Sequence, residues 1–254
     1  MQTRVGARYD RQIILPEIGL DGQARLREAR IYMAGAGGLA STAAYYLAAA
    51  GVGTLGIADD DRVEITNLNR QILHGPNRIG TAKVASARQT LTSFNPEINV
   101  IAYPVRLDSA PAMAQIIREF DAVVDCTDNF DARETINQAC IMAVKPWVYG
   151  AVRGFEGQVM TIVPGSGPCY RCLYPASRAE ASLAGGKGVI GISPGTIGII
   201  QAAEIIKYIL GKGRLLIGRM LHVDLLDMQF CELRIGKNQF CTSCGSHGSK
   251  DQLY

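Results

Sequence analysis

The chain has 254 residues, a formal net charge of +3, 48% apolar and 19% charged residues. Those figures suit a globular protein with one large α/β domain or two small ones. So small a charge, with Lys and Arg spread along the chain, gives no argument for nucleic-acid binding and points to a local anion rather than a polymer as any electrostatic partner; no nucleic-acid partner is expected.

The first ten residues lack the apolar stretch of a secretion signal. The uncharged run Met33 to Ala58 is interrupted by glycine, threonine and serine, so it does not read as a membrane-spanning helix. The expectation is a soluble cytoplasmic protein with no membrane partner.

Residues 1–29 precede the first core strand. Ala7 to Gln12 leads into Ile13-Ile14-Leu15-Pro16 and a polar amphipathic stretch from Leu20 to Arg30, which on composition reads as a solvated arm with a short helix. Next come an apolar run, Ile31 to Ala34, and a glycine-rich break, Gly35-Ala36-Gly37-Gly38-Leu39-Ala40. A helix of small residues, Ser41 to Ala50, closes at Gly51, and a second apolar run, Thr54 to Ala58, ends in Asp59-Asp60-Asp61. This order of strand, loop, helix, strand and carboxylate is a βαβ unit for a nucleotide. Glycines let the backbone approach phosphate, the helix start offers it N–H groups, and a carboxylate about 20 residues on can accept from a ribose hydroxyl. Asp59, the first residue past the apolar run, is the preferred ribose contact.

A loop holds Asn67-Leu68-Asn69-Arg70 and His74-Gly75-Pro76-Asn77. The spacing of Val84, Ala87, Leu91 and Phe94 predicts a helix from about Ala82 to Phe94, stopped by Pro96. Ile98 to Tyr103 alternates like a strand, Met113 to Phe120 reads as a short helix, and Asp121 to Cys126 as a buried strand ending in Thr127-Asp128-Asn129. A helix from Ala132 to Ala143 and a strand at Trp147 to Tyr149 follow. This alternation demands a parallel sheet covered on both faces. The pattern then changes to a strand at Gly157 to Val163, a small-residue segment from Ser177 to Pro194, a helix from Ile197 to Leu210, and antiparallel strands at Arg219 to Asp224 and Phe230 to Ile235. With no repeat and no linker, 1–254 is expected to be a single Rossmann-like α/β domain.

Thr127-Asp128-Asn129 falls where open α/β sheets bind ligands; it reads either as a plain helix cap or as a hard oxygen ligand for Mg²⁺ beside phosphates. Arg70 and Lys83 read either as surface charges or as the cations a triphosphate needs. Among the seven cysteines, Cys169-Tyr-Arg-Cys172 and Cys241-Thr-Ser-Cys244 form two Cys-x-x-Cys knuckles. Four thiolates are the tetrahedral set zinc prefers in closed structural sites, with redox chemistry at one knuckle as the alternative. Such a metal would tie the tail to the middle of the fold. His74, His222 and His247 are read as structural or surface residues.

Taken together, several motifs resemble the E1-like adenylyltransferases of the MoeB/ThiF (HesA/MoeB/ThiF) type. They are Arg8-Tyr-Asp-Arg11-Gln-Ile-Ile-Leu, Gly35-Ala-Gly-Gly38-Leu, Asp59-x-Asp61, Asn67-Leu-Asn-Arg70-Gln71, Lys83, Cys126-Thr-Asp128-Asn129 and the paired Cys-x-x-Cys. The resemblance implies a mixed, mostly parallel eight-stranded sheet, a homodimer, and ATP, Mg²⁺ and a structural zinc. It implies a nucleotide site of Gly35, Gly37, Gly38, Asp59, Asp61, Asn67, Arg70, Gln71, Lys83, Asp128 and Asn129. Asp59 would meet the ribose, Arg70 and Lys83 the phosphates, and Asp128 the Mg²⁺. Arg11 would reach the phosphates from the partner subunit, which displaces the solvated-arm reading. Cys169, Cys172, Cys241 and Cys244 would hold zinc.

The implied reaction is attack by the C-terminal Gly-Gly carboxylate of a ubiquitin-like sulfur carrier (MoaD/ThiS type, of molybdopterin or thiamin biosynthesis) on the α-phosphorus, giving an acyl-adenylate and pyrophosphate. Many relatives carry a cysteine in a crossover loop. Here that loop, about residues 176–195, reads Ala181-Ser-Leu-Ala-Gly-Gly-Lys187-Gly-Val-Ile, and Leu173 to Phe230 contains no cysteine. With Tyr254 as the last residue, no C-terminal rhodanese-like domain is expected either. Adenylation is therefore expected, with sulfur delivered by a separate sulfurtransferase or desulfurase. The alternatives are adenylation of a small molecule, tRNA or peptide, a silent scaffold for a ubiquitin-like partner, and an NAD-dependent oxidoreductase. The last gives Arg70, Lys83 and the knuckles no role in hydride transfer.

Overall fold

Two apolar five-residue runs, Arg30–Ala34 (β1) and Thr54–Ala58 (β2), lie side by side and parallel, paired from Arg30↔Thr54 to Ala34↔Ala58. They are the centre of the computed structural model, which describes residues 7–175 and 188–245. Asn99–Tyr103 (β3), Ala122–Asp125 (β4), Trp147–Arg153 (β5), Glu156–Ile162 (β6), Arg219–Asp224 (β7) and Gln229–Arg234 (β8) complete the sheet. Its eight strands run in the order β3-β2-β1-β4-β5-β6-β7-β8. β1 to β5 pair in parallel and β5 to β8 antiparallel, the mixed sheet the resemblance implied.

The helices are Asp10–Ile13 (α1), Gly19–Glu28 (α2), Gly38–Ala50 (α3), Lys83–Phe94 (α4), Ala110–Ile117 (α5), Phe130–Ala143 (α6), Tyr170–Leu173 (α7) and Ile192–Leu210 (α8). Strand side chains alternate between faces. Ile31 and Met33 therefore pack with Leu26, Leu47, Leu91 and Ile205 of α2, α3, α4 and α8. Tyr32 and Ala34 share the other layer with Ile117 of α5, Phe120 just beyond it, Ile136 of α6 and Trp147 of β5. The core is thus two apolar layers with the sheet between them.

Several boundaries differ from the sequence reading. The segment before β1 is not a solvated arm: Tyr9 and Leu26 are buried, and Arg25 donates to the Leu210 carbonyl at the end of α8. The helix expected from Met113 begins at Ala110, because Ser109 accepts from the Ala112 N–H and caps it. The helix expected from Ile197 begins at Ile192, inside the stretch taken for an irregular segment. Residues 176–187 of the crossover loop, and His247, lie outside the described residues. Among the described residues no helix is long and apolar enough to cross a membrane.

Candidate active site at the reversal of strand order

Strand order reverses between β1 and β4, and open parallel sheets bind ligands outside their carboxyl ends at such a point. Gly35 and Cys126 leave the two strands together: the Cys126 N–H donates to the Ala34 carbonyl at 2.8 Å and the Gly35 N–H to the Ala58 carbonyl at 2.7 Å. Gly35 has φ +107°, and a Cβ there would lie 2.6 Å from the Cys126 carbonyl oxygen, so the position admits only glycine.

The next residue is tied at both backbone groups. The Ala36 N–H donates to Asp59 Oδ2 at 2.8 Å, and His74 Nε2 lies 2.9 Å from the Ala36 carbonyl oxygen. A carbonyl can only accept, so Nε2 carries the proton and Nδ1 accepts from the Ser86 hydroxyl at 2.9 Å. Burial pushes the His74 pKa down, and the nearby Lys83 charge adds to that. The loop is therefore pre-set by a neutral, buried imidazole, a contact that no local sequence signal reveals.

α3 starts at Gly38 behind Gly37 with no side-chain cap, so the positive end of its dipole faces this edge. A Cβ on Gly38 would lie 3.6 Å from Arg70 Cγ, and one on Gly37 would lie 3.7 Å from Gln71 Nε2. The Gln71 side chain is buried with Oε1 unpartnered, an acceptor held beside the loop. Arg70 is half-buried and donates to the Thr66 carbonyl and Asn69 Oδ1. Asn67 anchors this turn: Oδ1 accepts from the Glu64 N–H, and its carbonyl accepts from the Arg70 and Gln71 N–H groups.

Asp59 Oδ1 also accepts from the Asp61 N–H at 2.9 Å, and with about four lone-pair positions its carboxylate keeps acceptor capacity. Asp61 in turn accepts from Lys83 Nζ at 2.6 Å. On the β4 side, Asp128 is exposed, and Asn129 caps α6 by accepting from the Ala132 N–H at 2.9 Å. The cap reading of this turn thus falls on Asn129, which leaves Asp128 beside it with an exposed carboxylate. Beneath them Asp125 and Arg133, which the sequence reading did not single out, form a buried ion pair. Burial pushes the Asp125 carboxyl up, while Arg133 and the Thr127 donors pull it back.

Arg11 is the predicted site residue that a single chain does not bring to this edge. Its neighbour Gln12 donates to the Ala50 carbonyl at the far end of α3, a helix of 13 residues and thus roughly 20 Å long.

Away from the nucleotide edge, Cys169, Cys172, Cys241 and Cys244 converge. Their sulfurs are 3.9 Å (Cys169 to Cys172), 3.6 Å (Cys169 to Cys241) and 3.5 Å (Cys172 to Cys244) apart. Thiolates at the usual Zn–S length of ~2.3 Å in a tetrahedron sit roughly 3.8 Å apart, whereas a disulfide needs ~2.05 Å. The four sulfurs therefore fit a zinc ion. Burial pushes the Cys244 thiol up to about 11 and Cys169 up as well. Burial acts in the same sense on Cys241, but backbone N–H groups of Ser243 and Cys244 outweigh it and lower that thiol.

Positive charge gathered around an uncapped helix start is what a triphosphate needs, and the class this fold and site define is the E1-like adenylyltransferases. The sequence profile of the ThiF family matches residues 9–244, and the chain belongs to that family. It is 42% identical to the sulfur carrier protein adenylyltransferase of Thermus thermophilus over 259 residues, covering 97% of this chain and 93% of the relative. It is likewise 42% identical to the SAMP-activating enzyme E1 of Haloferax volcanii over 243 residues, covering 95% and 89%. Among solved structures, E. coli MccB superposes with a TM-score of 0.81 at 22% identity, over 96% of this chain and 74% of that one, a likeness of fold.

Proposed function

We propose that this chain uses ATP to adenylate the C-terminal Gly-Gly carboxylate of a ubiquitin-like sulfur-carrier protein, releasing pyrophosphate. The observation that carries this reading is the meeting, at one sheet edge, of the tied glycine loop, Arg70, the Lys83–Asp61 pair and the exposed Asp128. The carrier as substrate is read from the similarity to the two activating enzymes just described.

In this reading the backbone of Gly35, Gly37 and Gly38 follows the phosphates. Asp59 takes the ribose through its remaining lone pairs, with Asp61, Asn67, Gln71 and Asn129 lining the nucleotide. Arg70 and Lys83 offset the charge that grows as the α-phosphorus is attacked and pyrophosphate leaves. Asp128 holds Mg²⁺, which when bound neutralises phosphate oxygens. The attacking group is already a carboxylate, so no general base is required. Positioning and charge do the work.

Arg11 belongs to this site only across a homodimer, since its own helix sits at the wrong end of α3. The four cysteines hold a structural zinc with no open position for catalysis. Sulfur then comes from a separate donor protein, in the cytoplasm, where thiols stay reduced. ATP–pyrophosphate exchange that appears on adding a small Gly-Gly-ended carrier is the expected result. Exchange indifferent to such a carrier, or driven instead by an amino acid or short peptide, would remove the carrier from the proposal.

A further inference from the structure

We propose that the buried Asp125–Arg133 pair is a positioning device that holds the Asp128 loop in register with the glycine loop; this rests on the reading of Asp128 as the Mg²⁺ ligand. Asp125 is the last residue of β4 and Arg133 lies in the first turns of α6, with Nε 3.1 Å from Asp125 Oδ2. Their side chains are 0% and 9% exposed, so this is an interior ion pair.

Between them the two side chains occupy every polar atom of Thr127, the residue directly before Asp128. Asp125 Oδ1 accepts from the Thr127 N–H at 2.9 Å and from its hydroxyl at 2.6 Å. Arg133 donates to the Thr127 carbonyl at 2.8 Å and to the Gly150 carbonyl of β5 at 3.2 Å. On the other side of Asp128, Asn129 is fixed as the cap of α6. Asp128 is thus an exposed carboxylate between two immobilised neighbours.

The strands alone do not secure this turn. β4 and β5 pair through Val123↔Trp147 and Val124↔Val148. Beyond that point the Gln201 amide of α8 bridges them, donating to the Asp125 carbonyl at 2.7 Å and the Val148 carbonyl at 3.0 Å. The guanidinium, lying 5.4 Å over the Tyr149 ring, then extends the connection to Thr127.

Stability does not explain such a pair. Taking two charges out of water is costly, and an apolar pair of similar volume is often as stable or more so. What an apolar pair cannot do is grip one loop residue at three atoms. Lysine cannot do it either, because the grip uses the fork of the guanidinium to reach a carboxylate and two carbonyls together.

The experiment compares Arg133→Lys and Thr127→Val with wild type, with Mn²⁺ as the metal. Mn²⁺ binding is read by paramagnetic resonance in the presence of a non-hydrolysable ATP analogue, alongside carrier-dependent exchange, melting temperature and zinc content. Supporting residues around a metal ligand typically contribute 10–100-fold to metal affinity or activity, so both variants should weaken Mn²⁺ and slow exchange by about that factor while retaining zinc. Folded Arg133→Lys with wild-type Mn²⁺ affinity and only a lower melting temperature overturns the proposal. Should Arg133→Lys not fold, Thr127→Val, which removes a single hydroxyl, decides on the same measurement. A wild-type protein that binds no Mn²⁺ with the analogue overturns the Asp128 reading and this one with it. Normal wild-type binding with unaltered variants overturns the positioning role alone.

Discussion

Lys83 Nζ lies 2.6 Å from Asp61 Oδ2, joining the start of α4 to the turn after β2. The lysine side chain is 7% exposed and the aspartate 67%, so the ammonium is enclosed while its counter-charge stays in water. The backbone repeats the link, because the Lys83 N–H donates to the Asp61 carbonyl at 2.9 Å. An enclosed ammonium held by a solvated carboxylate can turn to a phosphate at low cost. Lys83→Met should therefore reduce carrier-dependent exchange about 10²–10³-fold, the usual cost of losing one charge-stabilising donor. Asp61→Asn keeps an acceptor oxygen but takes the counter-charge from an enclosed ammonium, so it should lower stability by roughly 1–3 kcal/mol. Wild-type exchange in a folded Lys83→Met protein would take Lys83 out of the phosphate site.

Asp128 and Asn129 are adjacent and should respond to substitution in opposite ways. The Asp128 carboxylate is exposed, and its one described contact is the Asn129 amide at 3.4 Å. Asp128→Ala should abolish exchange and leave the unfolding free energy within about 0.5 kcal/mol of wild type. Asn129 accepts from the Ala132 N–H; Asn129→Ala should cost ~1 kcal/mol by loss of a helix cap. Chemical denaturation and exchange assays on the two variants separate the roles. Full exchange in Asp128→Ala would refute the Mg²⁺ assignment.

The first βαβ unit was legible because its signals are local: apolar runs, glycines where Gly35 and Gly51 need positive φ, and a carboxylate at a strand tip. The start of α8 was not, because its composition argues against a helix. Pro194, Gly195 and Gly198 lie in its first turns, yet small residues are required there. A Cβ on Gly198 would lie 2.4 Å from the Leu39 carbonyl oxygen of α3, and Thr42 donates to the Gly195 carbonyl at 2.9 Å. Close helix packing overrode propensity. The buried groups behind the site were hidden for a related reason. His74 meets Ala36 across 38 positions, and Arg133 reaches Asp125 only once α6 folds back on β4. The paired knuckles, by contrast, were readable at a distance, since Cys-x-x-Cys has a spacing that thiolate ligation explains.

The knuckles are tied to α6 as well as to one another. Arg171 pairs with Glu134 at 3.4 Å, and Gln138 donates to the Ser243 hydroxyl at 2.9 Å. Zinc removal by a chelator, or Cys241→Ser, should therefore lower stability more than it alters the nucleotide edge, because metal binding energy is folding energy. In a chain of this size each kcal/mol lost lowers the midpoint by roughly 2–4 °C, so losing ~3 kcal/mol reads as a drop of roughly 6–12 °C. Metal analysis and calorimetry on the same sample make the test. A zinc-free protein with an unaltered melting curve would count against the structural role.

Acid should loosen the glycine loop through His74. Burial, reinforced by the Lys83 charge, lowers the folded pKa of this imidazole, although the Ala36 hydrogen bond and Asp59 pull the other way. The unfolded chain takes up a proton near the ordinary histidine value of about 6.5, while the folded chain resists it until lower pH. Below about 6.5 the unfolded state thus binds more protons, and stability falls as pH falls. The His74 contribution is whole at neutral pH and is lost on acidification between the unfolded and folded values. His74→Gln can keep a donor to the Ala36 carbonyl without a titrating ring. Its unfolding free energy should decline less steeply between pH 7 and 5, by up to ~1.4 kcal/mol per pH unit for one proton. Equal slopes in the two proteins would show that His74 is not the group that senses acid, and that the Ala36 peptide is held just as firmly when the imidazole is charged.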